Sequence, residues 1–169
     1  MHNMKYLILI ISITLSIKAQ AQESKQFTIE GQVKKTKVFD LQSLNNYKIV
    51  ELDSMVVNNH LLQRKGSLEN IRGILLKDIL SEIEITSESP KNLSEYYFVC
   101  TATDNYKVVF SWNEIFNTET GKQVLVLISF KTNPAKGDNG NIALISPKDE
   151  ATGRRYVKGL SKISILRAN

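Results

Sequence analysis

Gly153-Arg154-Arg155-Tyr156-Val157-Lys158-Gly159-Leu160, followed by Ile163 and Ile165 in apolar alternation, closes the 169-residue chain with a basic turn that enters a last strand. Arg155 and Lys158 put two fixed positive charges on that turn. An arginine offers a planar fork of donors and a lysine a compact charge, the pair that an oxyanion or phosphate needs. Charge alone would equally describe a solvated basic loop. The segments on either side, taken in order, supply the further grounds.

Immediately upstream, residues 142–146 form a short apolar segment, and residues 147–155 are a loop. Residues 123–130 are dominated by the apolar run from Val124 to Ile128, which predicts a strand covered on both faces, and residues 131–139 form a Pro/Gly/Asn loop after it. Ser111-Trp112-Asn113-Glu114 has the spacing of a capping box, with Ile115 and Phe116 inward on a short helix that ends at Gly121. Residues 96–103 and 106–110 are aromatic and β-branched with Thr103-Asp104-Asn105 between them, a predicted hairpin.

Further back, Gly73-Ile74-Leu75-Leu76-Lys77-Asp78-Ile79-Leu80 opens the clearest helical pattern: Leu76, Ile79, Leu80 and Ile83 share one face. Residues 47–57 read as a β-rich segment ended by Asn58-Asn59-His60. Asp40 can cap a short turn of helix over residues 41–44. Residues 27–33 alternate as a half-buried strand and return through Lys34-Lys35-Thr36-Lys37 to Val38-Phe39 as a hairpin. Strands dominate and two or three short helices interrupt them. The class is α+β with a mixed, mostly antiparallel sheet.

The bulk properties exclude several functions. Residues 1–21 have a basic start at Lys5, an apolar run over 7–17 too short to span a bilayer, and Ala19 and Ala21 at the positions a signal peptidase reads. We expect cleavage before Gln22, one domain over 22–169, a periplasmic or secreted location, and no membrane contact after cleavage. The chain carries 22 Lys and Arg against 17 Asp and Glu, interleaved rather than striped, so no nucleic-acid partner is expected. Cys100 is the one cysteine, which excludes an intramolecular disulfide. Its neighbours Tyr97, Phe98, Val99 and Ala102 are core-forming, so it reads as a buried thiol. His60 is the one histidine outside the leader, too few soft ligands for zinc and no partner set for a Ser–His triad. No catalytic residue and no metal ligand is nominated.

The order of these motifs resembles the molybdopterin-binding domain of the sulfite oxidase family of oxidoreductases. Ile29-Glu30-Gly31-Gln32-Val33 is similar to that family's opening strand with its central glycine. The residues from Gly73 to Leu80 are similar to its Gly-Val-x-Leu-x-Asp-x-Leu helix start, and Asp104-Asn105-Tyr106 stands where it has an Asp-Gly-Tyr turn. Gly140-Asn141-Ile142-Ala143-Leu144-Ile145-Ser146-Pro147 parallels Gly-Pro-x-Arg-x-x-x-Pro, and the basic turn parallels Gly-x-Arg-x-Val-Lys-Trp-Leu. The resemblance implies a sulfite-oxidase-type molybdopterin-binding domain fold, with Arg155, Lys158, Asp104 and Tyr106 at cofactor-binding positions.

The chain departs from the family at its chemistry. Family enzymes hold molybdenum through a cysteine thiolate placed before the Gly-x-x-Leu-x-Asp-x-Leu helix, a soft ligand for that metal. Residues 47–72 contain no cysteine, and Ala143, Asn141 and Gly159 replace the family's arginine, proline and tryptophan. The expectation is therefore a binding module without cofactor, whose ligand is a small anion, a pterin-like molecule or a protein partner. The alternative is a molybdopterin-dependent oxidoreductase. Arg155 and Lys158 are expected on one shallow rim with Asp104, Tyr106 and the loop 131–141. As exposed charges, they should contribute within about 0.5 kcal/mol to stability.

Overall fold

The computed structural model describes residues 24–134 and 142–168. The predicted leader and its cleavage point lie outside them, as does most of the loop 131–141. The described chain forms nine strands in two sheets, three short α-helices and three 3-10 turns.

The five-stranded sheet has the order β2-β1-β9-β5-β6, from β1 (Gln26–Gly31), β2 (Lys37–Asp40), β5 (Tyr96–Ala102), β6 (Lys107–Ser111) and β9 (Leu160–Arg167). Strands β1 and β9 run parallel, and every other pairing in both sheets is antiparallel. The four-stranded sheet is β3-β4-β7-β8, from β3 (Val50–Asn58), β4 (Arg64–Leu75), β7 (Leu125–Asn133) and β8 (Ala143–Ile145). The α+β class, the mostly antiparallel pairing and the few short helices agree with the sequence reading. The division into two sheets is not legible in a succession of strand signals.

Apolar alternation explains how the sheets pack. Phe27, Ile29, Phe98, Cys100, Phe110, Ile163 and Ile165 of the first sheet bury against Ile74, Val126 and Leu144 of the second. On the other face of the second sheet, Leu125, Leu127, Ala143 and Ile145 join Leu68, Ile71, Phe130 and Tyr156 in a smaller core. Successive residues at the start of β7 and along β8 thus enter opposite cores, which is why the run from Val124 to Ile128 is apolar without alternation.

The helices are shorter than the sequence suggests. Asp40 caps α1 (Leu41–Leu44), its carboxylate accepting from the Ser43 amide at 2.8 Å while Ser43 Oγ accepts from the Asp40 amide at 2.9 Å. The helix expected from Gly73 starts at Leu76: α2 is Leu76–Ser81, and Gly73, Ile74 and Leu75 pair with Leu127, Val126 and Leu125 as the end of β4. The helical stripe holds over one and a half turns, and sheet pairing captures the residues before it. β4 itself has no clear signature in the sequence, because bulges near Arg72 break the period-two pattern. In α3 (Trp112–Asn117), Ser111 Oγ accepts from the Glu114 amide at 3.0 Å, and the helix stops at Asn117, before the 3-10 turn Gly121–Gln123. The capping box is half made, because Glu114 turns its carboxylate to Arg155.

Candidate functional site

The basic turn is anchored on all sides. Thr152, at the start of the 3-10 turn Thr152–Arg155, donates from Oγ1 to the Val56 carbonyl and accepts from the Asn58 amide, both at 2.9 Å, which fixes the turn on the end of β3. Val157 and Leu144 exchange backbone hydrogen bonds at 2.8 and 3.0 Å, and the Leu160 amide donates to Ile142 at 2.7 Å. Tyr156 and Val157, between Arg155 and Lys158, are buried.

Arg155 turns inward to protein carboxylates. Its Nε donates to Asp149 Oδ2 at 2.6 Å, its Nη2 to Asp149 Oδ1 at 2.5 Å, and its Nη1 to Glu114 Oε1. Its guanidinium lies 4.5 Å from the centroid of the Phe110 ring. Only 21% of the side chain is exposed, and the Asp149 hydrogen bonds, outweighing burial, hold its pKa above the ordinary arginine value. Two carboxylates against one guanidinium leave no surplus positive charge to offer an anion. The premise that Arg155 is a solvated cation on a shared rim is therefore corrected: it joins α3, the loop after β8 and the 3-10 turn.

Lys158 points elsewhere, its Nζ 5.3 Å from the Tyr156 ring centroid, and it lines a cleft of about 170 Å³ with Lys65, Ser67, Thr132, Asn133 and Gly153. Gly66 lies at the back, with φ +155° and packed so closely that an added Cβ would sit 2.7 Å from the Asn133 carbonyl oxygen. Ser67 Oγ and Asn133 Nδ2 both donate to Glu69 Oε1, at 3.3 and 2.9 Å, so what the cleft offers an oxyanion is the positive charge of its two lysines. Lys158 shares this cleft with Thr132, Asn133 and Pro134 at the described start of the loop 131–141. Its cationic companion is Lys65 rather than Arg155. The sequence carries no signal for Lys65, since β4 is not recognisable in it and the register of β4 against β7 decides which residues face the cleft.

Asp104 and Tyr106 do not line this cleft. Asp104 Oδ1 accepts from the Tyr106 amide at 2.9 Å and shapes the β5–β6 turn, where Asn105 takes the left-handed conformation at φ 69°. Tyr106 donates its hydroxyl to the Arg154 carbonyl at 2.5 Å, so the turn does reach the basic segment, as a brace. A wider concavity of about 840 Å³ lies over the outer face of the five-stranded sheet, but its Lys162 is bridged to Glu30 at 3.1 Å.

The donor set does not fit a thiolate-held metal. Cys100 lies on the inner face of β5 with no exposed surface, and burial pushes its thiol up to about 12. Among the described residues, no three His, Cys, Asp or Glu side chains come together as a metal site. At pH 8 the thiolate fraction should fall about a thousandfold relative to an ordinary cysteine, given the rise from 9.0 to about 12. Native protein is therefore expected to resist iodoacetamide at pH 8 for hours and to react fully in denaturant. Stoichiometric labelling within minutes under native conditions would show that the thiol is reachable.

The chain is similar in fold to the sulfane dehydrogenase SoxCD from Paracoccus pantotrophus. The two superpose with a TM-score of 0.57 and 15% sequence identity, over 88% of this chain and 39% of that one. At that identity the likeness is one of fold, and this chain spans well under half of the other's length. No protein-family model and no curated protein sequence matches the chain.

Proposed function

We propose that this protein is an exported binding module, built on a sulfite-oxidase-type scaffold, that takes a small oxyanion or the anionic part of a pterin-like molecule in the cleft of Lys65 and Lys158. The observation that carries the reading is the burial of Cys100: the one thiol of the chain faces the core of the first sheet, so the scaffold has no thiolate with which to hold a metal. The cleft supports the ligand class, since charge-assisted hydrogen bonds from two lysines select negative groups. The order of motifs along the sequence and the fold likeness to a sulfane dehydrogenase point to the same scaffold.

Titration calorimetry with phosphate, sulfite and a soluble pterin tests this directly. Lys65→Ala combined with Lys158→Ala is expected to weaken the best of these ligands by about tenfold or more, the loss of one or two charge-assisted hydrogen bonds. Equal affinity in parent and variant would reject the cleft.

A second reading, a molybdopterin-dependent oxidoreductase, is favoured by one observation, the fold shared with a dehydrogenase. Metal analysis after expression in a host that makes the cofactor separates the two. Molybdenum near one equivalent would replace the binding module with the enzyme.

A further inference from the structure

The tip of the β3–β4 hairpin carries a sequence that its backbone does not ask for. Asn59 builds the turn: its Oδ1 accepts from the amides of Leu61 at 2.9 Å and Gln63 at 3.0 Å, and its carbonyl accepts from the Leu62 amide at 3.0 Å. Leu62 sits at φ 59°, the left-handed region where glycine or asparagine is the usual occupant. Leu61 and Leu62 are 62% and 56% exposed, and neither joins either apolar core. A bulky apolar pair held outward in a strained turn contributes nothing to folding, which marks the position as a site of use. After Gln63 come Arg64 and Lys65, both exposed at the start of β4, Lys65 also lining the cleft it shares with Lys158.

We propose that this tip docks the protein on an anionic phospholipid surface, Leu61 and Leu62 entering the acyl boundary while Arg64 and Lys65 stay among the phosphates. Three features favour a bilayer over a protein pocket. A hairpin tip projects and cannot enclose a partner's side chain. Its apolar residues are leucines, whereas the anchors of protein contacts are mostly Trp, Tyr and Arg. Its two cations at the base complement anionic headgroups, the arrangement of a reversible interfacial contact. No helix among the described residues is long and apolar enough to cross a membrane. The proposed contact goes beyond the sequence expectation of a chain without membrane contact, because exposure at the tip is set by the turn.

The test uses the full chain with vesicles of phosphatidylcholine alone and of equimolar phosphatidylcholine and phosphatidylglycerol. A polarity-sensitive fluorophore is attached through Leu61→Cys, Cys100 being buried. Its emission is expected to move to the blue with the anionic vesicles and to stay put with the neutral ones. The same fluorophore on Lys91→Cys, in the 3-10 turn Pro90–Glu95, is expected to stay put with both. Adding Leu62→Asn to the labelled chain should raise the anionic lipid concentration at half-shift about tenfold. The fold should survive that change, because asparagine tolerates the left-handed backbone. An absent shift at the tip, a shift of equal size at position 91, or an unchanged midpoint with Leu62→Asn each overturns the proposal. So does a shift that follows protein concentration without vesicles, which would assign the leucines to a second copy of the chain.

Discussion

Arg155→Ala is expected to lower stability by about 2–4 kcal/mol, a fall in melting temperature of roughly 5–12 °C for a domain of this size. The change removes four polar contacts and the guanidinium over Phe110 at once. It also leaves Asp149 and Glu114, 15% and 29% exposed, without their shared cation. The upper end of the buried-pair range is not reached because Glu114 keeps some water. Arg155→Lys retains the charge but not the fork, and should fall between parent and alanine variant. Lys158→Ala should cost less than Arg155→Ala, because Lys158 is exposed and Arg155 holds two carboxylates. Urea denaturation of the three variants measures this, and a double-mutant cycle with Asp149→Asn isolates the pair. Equal midpoints for Arg155→Ala and the parent would show that the network adds nothing. The expected loss reverses the sequence expectation for Arg155, and calorimetry adds a second check: Arg155→Lys should bind oxyanions as the parent does.

A loss of about 3 kcal/mol or more is expected for Gly31→Ala. Gly31 ends β1 at φ +100°, a conformation that side chains rarely adopt, and an alanine Cβ would lie 2.3 Å from the Ile165 carbonyl oxygen. That oxygen belongs to the parallel pairing of β1 with β9 and accepts from the Gln32 amide at 2.8 Å. The clash is with backbone, so no side-chain rotation relieves it. One of the strands must separate. Urea unfolding should show a lower midpoint, and hydrogen exchange should show faster opening of the Gln32 amide. A variant as stable as the parent would mean that the chain can pass from β1 to the Val33–Ile85 bridge by another route.

The fold and the site differ in how far local signals reach. The β1–β2 and β5–β6 hairpins, the Asp40 cap, the Ser111 cap and the buried state of Cys100 all rest on neighbours within a few residues, and each is legible in the sequence itself. So is the two-sided burial at the start of β7, because cover on both faces suppresses the polar half of the alternation. The start of α2 is not, since Gly73, Ile74 and Leu75 suit both helical and strand periods, and only pairing with β7 decides between them. Strand β4 is illegible for a related reason, its bulges erasing the period.

The candidate site depends on more distant facts. Sequence chemistry marks the segment from Gly153 to Lys158 as charged and turn-forming. It does not show that Asp149 and Glu114, the latter on a helix far upstream, converge on Arg155 and take its charge out of play. Nor does it bring Lys65 to Lys158, since that meeting is set by the register of β4 on β7 and the anchoring of Thr152 on β3. Residue type and spacing determine what a turn can do chemically. Which partners satisfy it is decided by packing between segments far apart in the chain, where a one-residue shift in register would face every side chain the other way.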